Sequence, residues 1–236
     1  MKEQIYTIPL NDALAEDSEC LMCSLEKKLE DDAISYFLGP AMMEDDVRKI
    51  TNEKGFCRRH YHLMLDKGGR LSLALMIDTH LEEVREKLGK KSKKPHSSFL
   101  SKKAALNSIN EMVNAIEQIQ SSCAVCDKLA RQLKQAYSNF IYLWDTEAEF
   151  RKKFLNSKGL CLPHMAELLR IAPNELGGKK LDSFVGDIYD LQNAQLERLN
   201  GEVNWFTKKY DYRNQDEPWG TAQDSLPRAV TKLSKY

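Results

Sequence analysis

Apolar residues recur at helical spacing along most of the chain. A spacing of three or four residues places side chains on one face of an α-helix. The clearest stripe in the first half is formed by Leu25, Leu29, Ala33 and Phe37, and the one in the second half by Leu129, Leu133, Tyr137, Phe140 and Trp144. No segment alternates apolar and polar residues convincingly enough to indicate a β-strand. The pattern therefore predicts an all-α protein.

Further helices are predicted after the first of these stripes. The Gly39-Pro40 pair ends the first helix, and a shorter helix with acidic residues at its start follows over 42–52. Longer apolar patterns predict helices over 70–88 and 181–208. We therefore expect a series of helices joined by short turns.

The six cysteines all belong to short paired motifs. Two of the motifs are Cys-x-x-Cys and two are Cys-x-x-His, the latter within KGFCRRH at 54–60 and KGLCLPH at 158–164. The motif residues are Cys20, Cys23, Cys57, His60, Cys123, Cys126, Cys161 and His164. Because residues three apart on a helix share a face, each pair is expected to point both of its side chains in one direction.

The order and spacing of these motifs indicate an internal duplication. In each half a Cys-x-x-Cys pair precedes a Cys-x-x-His pair, with 33 intervening residues in the first half and 34 in the second. We therefore predict two homologous helical repeats, 1–95 and 96–236, packed as one globular body. The basic, proline-containing segment 89–103 is the predicted linker, and the weakly periodic segment 211–230 predicts an irregular C-terminal tail.

Within each repeat, a helical hairpin is expected to close on one metal site. Two antiparallel helices of similar length bring the second motif back beside the first. This reasoning pairs Cys20 and Cys23 with Cys57 and His60. By the same reasoning the second hairpin pairs Cys123 and Cys126 with Cys161 and His164.

Three cysteines and one histidine are typical ligands of a structural zinc ion. The sequence therefore predicts two zinc ions per chain. Three alternatives stay open: an iron–sulfur cluster, which cysteine ligation also suits; a thioredoxin-like redox role, which the absence of a βαβ pattern disfavours; and a catalytic zinc, which four protein ligands disfavour.

Composition limits the function classes. The chain has 35 basic and 35 acidic residues, so its formal net charge of zero argues against nucleic acid as a partner. The opening MKEQIYTIPLNDA has no apolar core of a signal peptide, and the longest apolar run is too short to cross a membrane. We therefore expect a cytoplasmic protein, in which cysteines bind metal rather than form disulfides.

The motif pairs, with KEQIYTIPLNDA, LGPAMMEDDVR and DYRNQDEPW, resemble an uncharacterised bacterial family of unknown function found mainly in anaerobic Firmicutes. The resemblance covers essentially the whole chain. It implies a helical fold with paired cysteine motifs and no assigned activity. It also implies that both ends of the chain belong to the folded unit.

The sequence contains no phosphate-binding loop, nucleophile elbow or His-Glu-x-x-His helix that would indicate an enzyme class. We therefore favour a non-enzymatic binding or scaffold module with an unidentified protein or small-molecule partner. The alternative is a thiol-based redox or metal sensor that uses the same cysteines.

Overall fold

The computed structural model describes residues 7–91 and 102–236, and these residues form α-helices and turns with no β-strand. The helices are α1 (Ile8–Ala15), α2 (Leu21–Leu38), α3 (Asp45–Lys54), α4 (Arg58–Lys67), α5 (Arg70–Lys91), α6 (Lys102–Ser121), α7 (Ala124–Thr146), α8 (Ala148–Leu155), α9 (Leu162–Glu175), α10 (Gly178–Lys208) and α11 (Ser225–Ser234). The predicted all-α fold is confirmed. Across the described residues, no helix combines the length and apolar character needed to cross a bilayer.

The chain divides into two compact units, and both cuts fall within helices. One cut lies in α2 between Lys28 and Leu29, and the other in α7 between Arg131 and Gln132. The first unit comprises the described residues up to Lys28 together with those from Gln132 onward. The second unit comprises the described residues from Leu29 to Arg131. The second unit is thus an insertion in the first, whereas the sequence predicted consecutive repeats. The predicted boundary at 95/96 and most of the predicted linker lie outside the described residues.

Aromatic side chains form the centre of the first unit. Phe140 on α7 lies with its ring centroid 5.4 Å from that of Phe150 and 4.9 Å from that of Phe154, both on α8. Phe184 on α10 packs edge-to-face against Trp144 at 4.9 Å. All five side chains are buried, and edge-to-face pairs of this kind add to the stabilisation from apolar burial.

The second unit has its own core. Phe37 near the end of α2 packs against Phe56, at a centroid distance of 5.7 Å, and Phe56 packs against Tyr61 at 5.5 Å. Met64 on α4 and Met76 on α5 are buried in the same cluster. Phe56 directly precedes Cys57, so this core fixes the start of α4.

The C-terminal segment is more regular than the sequence predicted. Short 3₁₀ turns at Tyr212–Asn214 and Gly220–Ala222 lead into α11. Ser225 and Lys232 of α11 are buried, whereas its apolar residues Leu226 and Val230 are exposed. The helix therefore turns its polar face inward, which is the reverse of the pattern used to recognise a helix in the sequence.

Candidate metal centres

The eight motif residues form two clusters, and the pairing predicted from the sequence is wrong. In each cluster the four candidate ligand atoms lie within 4.8 Å of one another. The first cluster is Cys20, Cys23, Cys161 and His164; the second cluster is Cys57, His60, Cys123 and Cys126. The outer motifs of the chain thus pair with each other, as do the inner motifs, and each cluster lies within one unit.

Helix length explains why the hairpins do not close on themselves. A hairpin that closes on itself needs a return helix about as long as the outgoing one. Instead α3 has 10 residues against 18 in α2, and α8 has 8 residues against 23 in α7. At about 1.5 Å per residue, a short return helix leaves the Cys-x-x-His motif well short of the start of the outgoing helix.

Each motif lies at the N-terminus of a helix, as its spacing predicts. Cys57 and Cys161 are the N-cap residues of α4 and α9, and Cys20 and Cys123 immediately precede α2 and α7. Helix N-termini carry partial positive charge, so all four positions suit thiolate or metal-bound sulfur.

The backbone also stabilises these sulfurs. The amide of Cys23 donates to Cys20 Sγ over 3.4 Å, and the amide of Cys126 donates to Cys123 Sγ over the same distance. These bonds arise because the first cysteine stands at the helix start and the second lies in the first turn. The Cys-x-x-Cys spacing therefore positions both the ligand and its hydrogen-bond donor.

The first cluster has the dimensions of a tetrahedral site. His164 Nδ1 lies 3.3, 3.4 and 3.2 Å from the sulfurs of Cys20, Cys23 and Cys161. The sulfurs of Cys23 and Cys161 are 3.6 Å apart. Zinc bonds of about 2.3 Å to sulfur and 2.0 Å to nitrogen in tetrahedral geometry imply roughly 3.5 Å between nitrogen and sulfur and roughly 3.8 Å between two sulfurs, slightly longer than these separations.

The second cluster repeats this geometry. His60 Nδ1 lies 3.2 Å from both Cys57 Sγ and Cys123 Sγ, and 3.4 Å from Cys126 Sγ. The sulfurs of Cys57 and Cys126 are 3.9 Å apart. Both clusters therefore present three sulfurs and one ring nitrogen that could hold a metal ion.

A buried glutamate orients each histidine. His164 Nε2 lies 2.9 Å from Glu26 Oε2, and His60 Nε2 lies 3.0 Å from Glu30 Oε1. A carboxylate on Nε2 favours the tautomer with its proton there, so that the Nδ1 lone pair faces the sulfurs. These glutamates could not be predicted from the sequence, because a charged residue on a helix gives no signal that it is buried.

Each glutamate is itself paired with a cation. Lys235 Nζ contacts Glu26, and Arg59 holds both oxygens of Glu30 through two contacts of 2.6 and 2.7 Å. A buried carboxylate is costly unless its charge is compensated, and these cations lie close enough to both glutamates to provide that compensation.

In the absence of metal, the first cluster favours a positively charged His164 beside a negatively charged Cys20. Burial disfavours a charged His164, but hydrogen bonds with Cys161, Cys20 and Glu26 raise the pKa of His164 to about 11. Burial also opposes ionisation of Cys20, yet hydrogen bonds from Cys161 and His164 bring the pKa of Cys20 far below its usual range. The lowered pKa of Cys20 thus favours a thiolate where a cation would bind.

The second cluster favours neutral groups when no cation is bound. Burial lowers the pKa of His60 despite its hydrogen bond to Glu30. Burial raises the pKa of Cys123 and of Cys126, and the sulfurs repel one another when ionised. Metal binding at this cluster would therefore release thiol protons.

Helix α11 covers the first cluster. The fully buried Lys232 Nζ donates to the carbonyl oxygen of Glu19 over 2.9 Å and also to that of Lys158. Glu19 immediately precedes Cys20, and its carboxylate is bound by Arg198 at 2.6 Å and by Arg228 at 3.1 Å. This contact could not be predicted from the sequence, because the weak periodicity of 211–230 predicted an irregular tail rather than a helix.

The chain belongs to DUF6062, a family of unknown function whose model matches residues 1–236. This assignment confirms the resemblance to an uncharacterised family that the motifs indicated. No curated protein matches the chain, and no solved structure does. The function therefore has to be argued from the clusters themselves.

Proposed function

We propose that this member of a family of unknown function binds two structural zinc ions, one in each Cys₃His cluster. The observation that carries the proposal is common to both clusters: one histidine nitrogen faces three sulfurs while the other contacts a buried glutamate. Zinc-bound histidines typically have this arrangement. Four protein ligands leave no open coordination position, so a structural role fits better than a catalytic one.

Zinc suits these ligands better than the other candidate metals. Sulfur and imidazole ligands in tetrahedral geometry favour zinc or iron–sulfur chemistry, whereas magnesium and calcium prefer oxygen. Zinc binding would hold two helix N-termini together in each cluster, and the free energy of zinc binding would contribute to folding. An iron–sulfur cluster is the alternative, and the metal content of the purified protein distinguishes it from zinc.

The protein's cellular role, in this proposal, is that of a non-enzymatic cytoplasmic module that binds a protein or small-molecule partner. One feature of the first unit supports an interaction role. Leu226, Val230 and Leu233 lie on one face of α11 and are 44, 61 and 58% exposed. Spacings of four and three residues place these side chains in one stripe, and exposed apolar patches commonly serve as contact surfaces.

Elemental analysis tests the zinc proposal directly. The full chain is purified without added metal or chelator, and its metal content and ultraviolet–visible spectrum are recorded. About two zinc ions per chain and no visible absorption support two structural sites. Iron with sulfide and visible absorption would replace zinc with an iron–sulfur cluster, and a stably folded chain without metal would contradict both assignments.

The second candidate function is a thiol-based sensor. It is favoured by the exposure of Cys126, because an oxidant must reach the sulfur with which it reacts. Mild peroxide treatment followed by thiol counting separates the two candidates. Unreactive sulfurs support the binding module, whereas fast, reversible disulfide formation with metal loss supports the sensor.

A further inference from the structure

The two clusters differ sharply in their access to solvent. In the first cluster, Cys20, Cys23 and Cys161 are 0, 6 and 0% exposed, and His164 is 2% exposed. In the second cluster Cys126 is exposed and Cys57 is half-buried, although His60 and Cys123 are buried. The ligand types are the same, so with metal bound in both clusters this difference in access should make the second cluster the more reactive one.

Contacts from α11 account for the closure of the first cluster. Lys232 bonds to the chain immediately before Cys20, and Lys235 contacts Glu26, which contacts His164. Both lysines therefore hold α11 against the segments that carry the ligands. A reagent could reach these sulfurs only after α11 or another buried element moved.

Neighbouring residues shield one side of the second cluster from solvent. Glu30 and Arg59 lie behind His60, and Cys123 is buried against the core of the second unit. Cys126 lies one helical turn into α7, and its sulfur is 3.4 Å from His60 Nδ1 and 3.9 Å from Cys57 Sγ. The exposed sulfur is therefore a member of the candidate metal site, and a change at this atom alters the ligand set.

We infer that Cys126 is a site of covalent modification by small soft electrophiles, and that its modification releases metal from the second cluster alone. This inference rests on the proposed zinc sites. The electrophile class is the α,β-unsaturated carbonyl compounds, to which thiolates add readily. The Cys126 sulfur forms a bond to the β-carbon, the carbon–carbon double bond becomes single, and the α-carbon takes a proton from water. The resulting thioether is a far weaker ligand than the thiolate.

The test uses the zinc-loaded full chain and N-ethylmaleimide as the probe. Peptide mass spectrometry follows the labelling of each cysteine with time, and a chromogenic chelator reports released zinc. We expect Cys126 to be labelled first, with about one zinc ion released per chain. The cysteines of the first cluster should react at least about tenfold more slowly, because reaction requires access to the sulfur.

Two variants form a matched pair, since Cys126 and Cys23 are each the second cysteine of a Cys-x-x-Cys motif. Cys126→Ser should lose the fast labelling phase, whereas Cys23→Ser should keep it. A fast phase that persists in Cys126→Ser would overturn the inference. So would equal labelling rates in the two clusters of the wild-type chain.

The outcomes separate this inference from the proposed function. A chain that binds two zinc ions but is labelled uniformly contradicts the inference and leaves the zinc sites intact. A chain that binds no metal contradicts the zinc sites. In that chain the metal-release part of the inference is excluded; labelling of Cys126 before all other cysteines still supports the modification site, and labelling in any other order overturns that as well.

Discussion

Glu26 lies three residues beyond Cys23 on α2, and its carboxylate is 2.9 Å from His164 Nε2. The helix that carries the candidate ligand Cys23 therefore also orients the histidine contributed by α9. Glu30, one turn further along α2, performs the same role for His60 in the second cluster. The two glutamates are thus the residues outside the motifs on which the candidate sites most directly depend.

Replacing either glutamate should weaken metal binding at one cluster only. We expect Glu26→Ala to lower zinc affinity of the first cluster, and Glu30→Ala that of the second, by about 10- to 100-fold, as for other carboxylates behind zinc-bound histidines. Competition with a chromogenic chelator measures both affinities. Glu197→Ala is the control, because Glu197 is exposed on α10. Unchanged affinities in both test variants would argue that these carboxylates do not orient the histidines.

The metal content of double variants shows which motifs bind the same ion. Cys20→Ser with Cys161→Ser removes two ligands from the first cluster, so this double variant should keep about one zinc ion per chain. Cys20→Ser with Cys57→Ser removes one ligand from each cluster and should leave little zinc. Hairpins that closed on themselves would give the opposite result. Each single variant should also lower the thermal stability, because structural zinc contributes to folding.

The sequence was sufficient to predict the eight candidate ligands that cluster, but not which motifs come together. Cysteine and histidine at a spacing of three residues indicate metal ligands locally, and the helix starts at Cys57 and Cys161 follow from the same spacing. Which motifs meet depends on where α3 and α8 begin and end. Errors of a few residues at helix ends change a helix length by several ångströms, which is enough to redirect a motif. The internal duplication stays a prediction.

The C-terminal helix shows a second limit of sequence analysis. The apolar residues Leu226, Val230 and Leu233 have helical spacing, but the structure buries Lys232 and leaves these residues exposed. The buried face of α11 is polar because it bonds to backbone carbonyls beside Cys20 and to the carboxylate of Glu19. Hydrophobic patterning assigns the wrong face of such a helix to the protein interior.

The charge network beside the first cluster predicts a pH-dependent contribution to stability. Arg228 and Arg198 contact Glu202 at 2.5 and 3.0 Å. Burial opposes ionisation of Glu202, but the hydrogen bonds from both arginines lower its pKa below the usual 4.5. A carboxyl group with a lowered pKa in the folded state stabilises the protein above its unfolded-state pKa. That contribution is lost as the pH falls through the folded-state pKa.

Glu202→Gln should therefore lower the free energy of unfolding at neutral pH, and the difference from wild type should shrink on acidification below about pH 4.5. Denaturant unfolding at a series of pH values measures this difference. Comparison with wild type at each pH removes the effect of metal loss, which acid causes in both proteins. Glu197→Gln should show no such trend, and a constant deficit for Glu202→Gln would exclude the proposed ionic contribution.

The repeated Lys-Gly sequence before each Cys-x-x-His motif has a conformational cause. Gly55 has φ of +57° and Gly159 has φ of +75°, a region that residues with a side chain rarely adopt. A Cβ on Gly55 would also lie 2.4 Å from His80 Nε2, whereas a Cβ on Gly159 would meet Leu191 at an ordinary 3.4 Å. The ring of His80 is held in place, because its Nδ1 donates to the carbonyl oxygen of Asn52 over 2.7 Å.

Gly55→Ala should consequently cost more stability than Gly159→Ala. Both variants carry the backbone strain of about 1–3 kcal/mol expected for such a conformation, and Gly55→Ala must in addition displace His80. Thermal and denaturant unfolding of the two zinc-loaded variants provide the comparison. A third variant, Gly55→Ala with His80→Ala, should recover part of the loss, because the smaller side chain removes the steric conflict. Equal losses in the two single variants would show that the contact with His80 is relieved without cost.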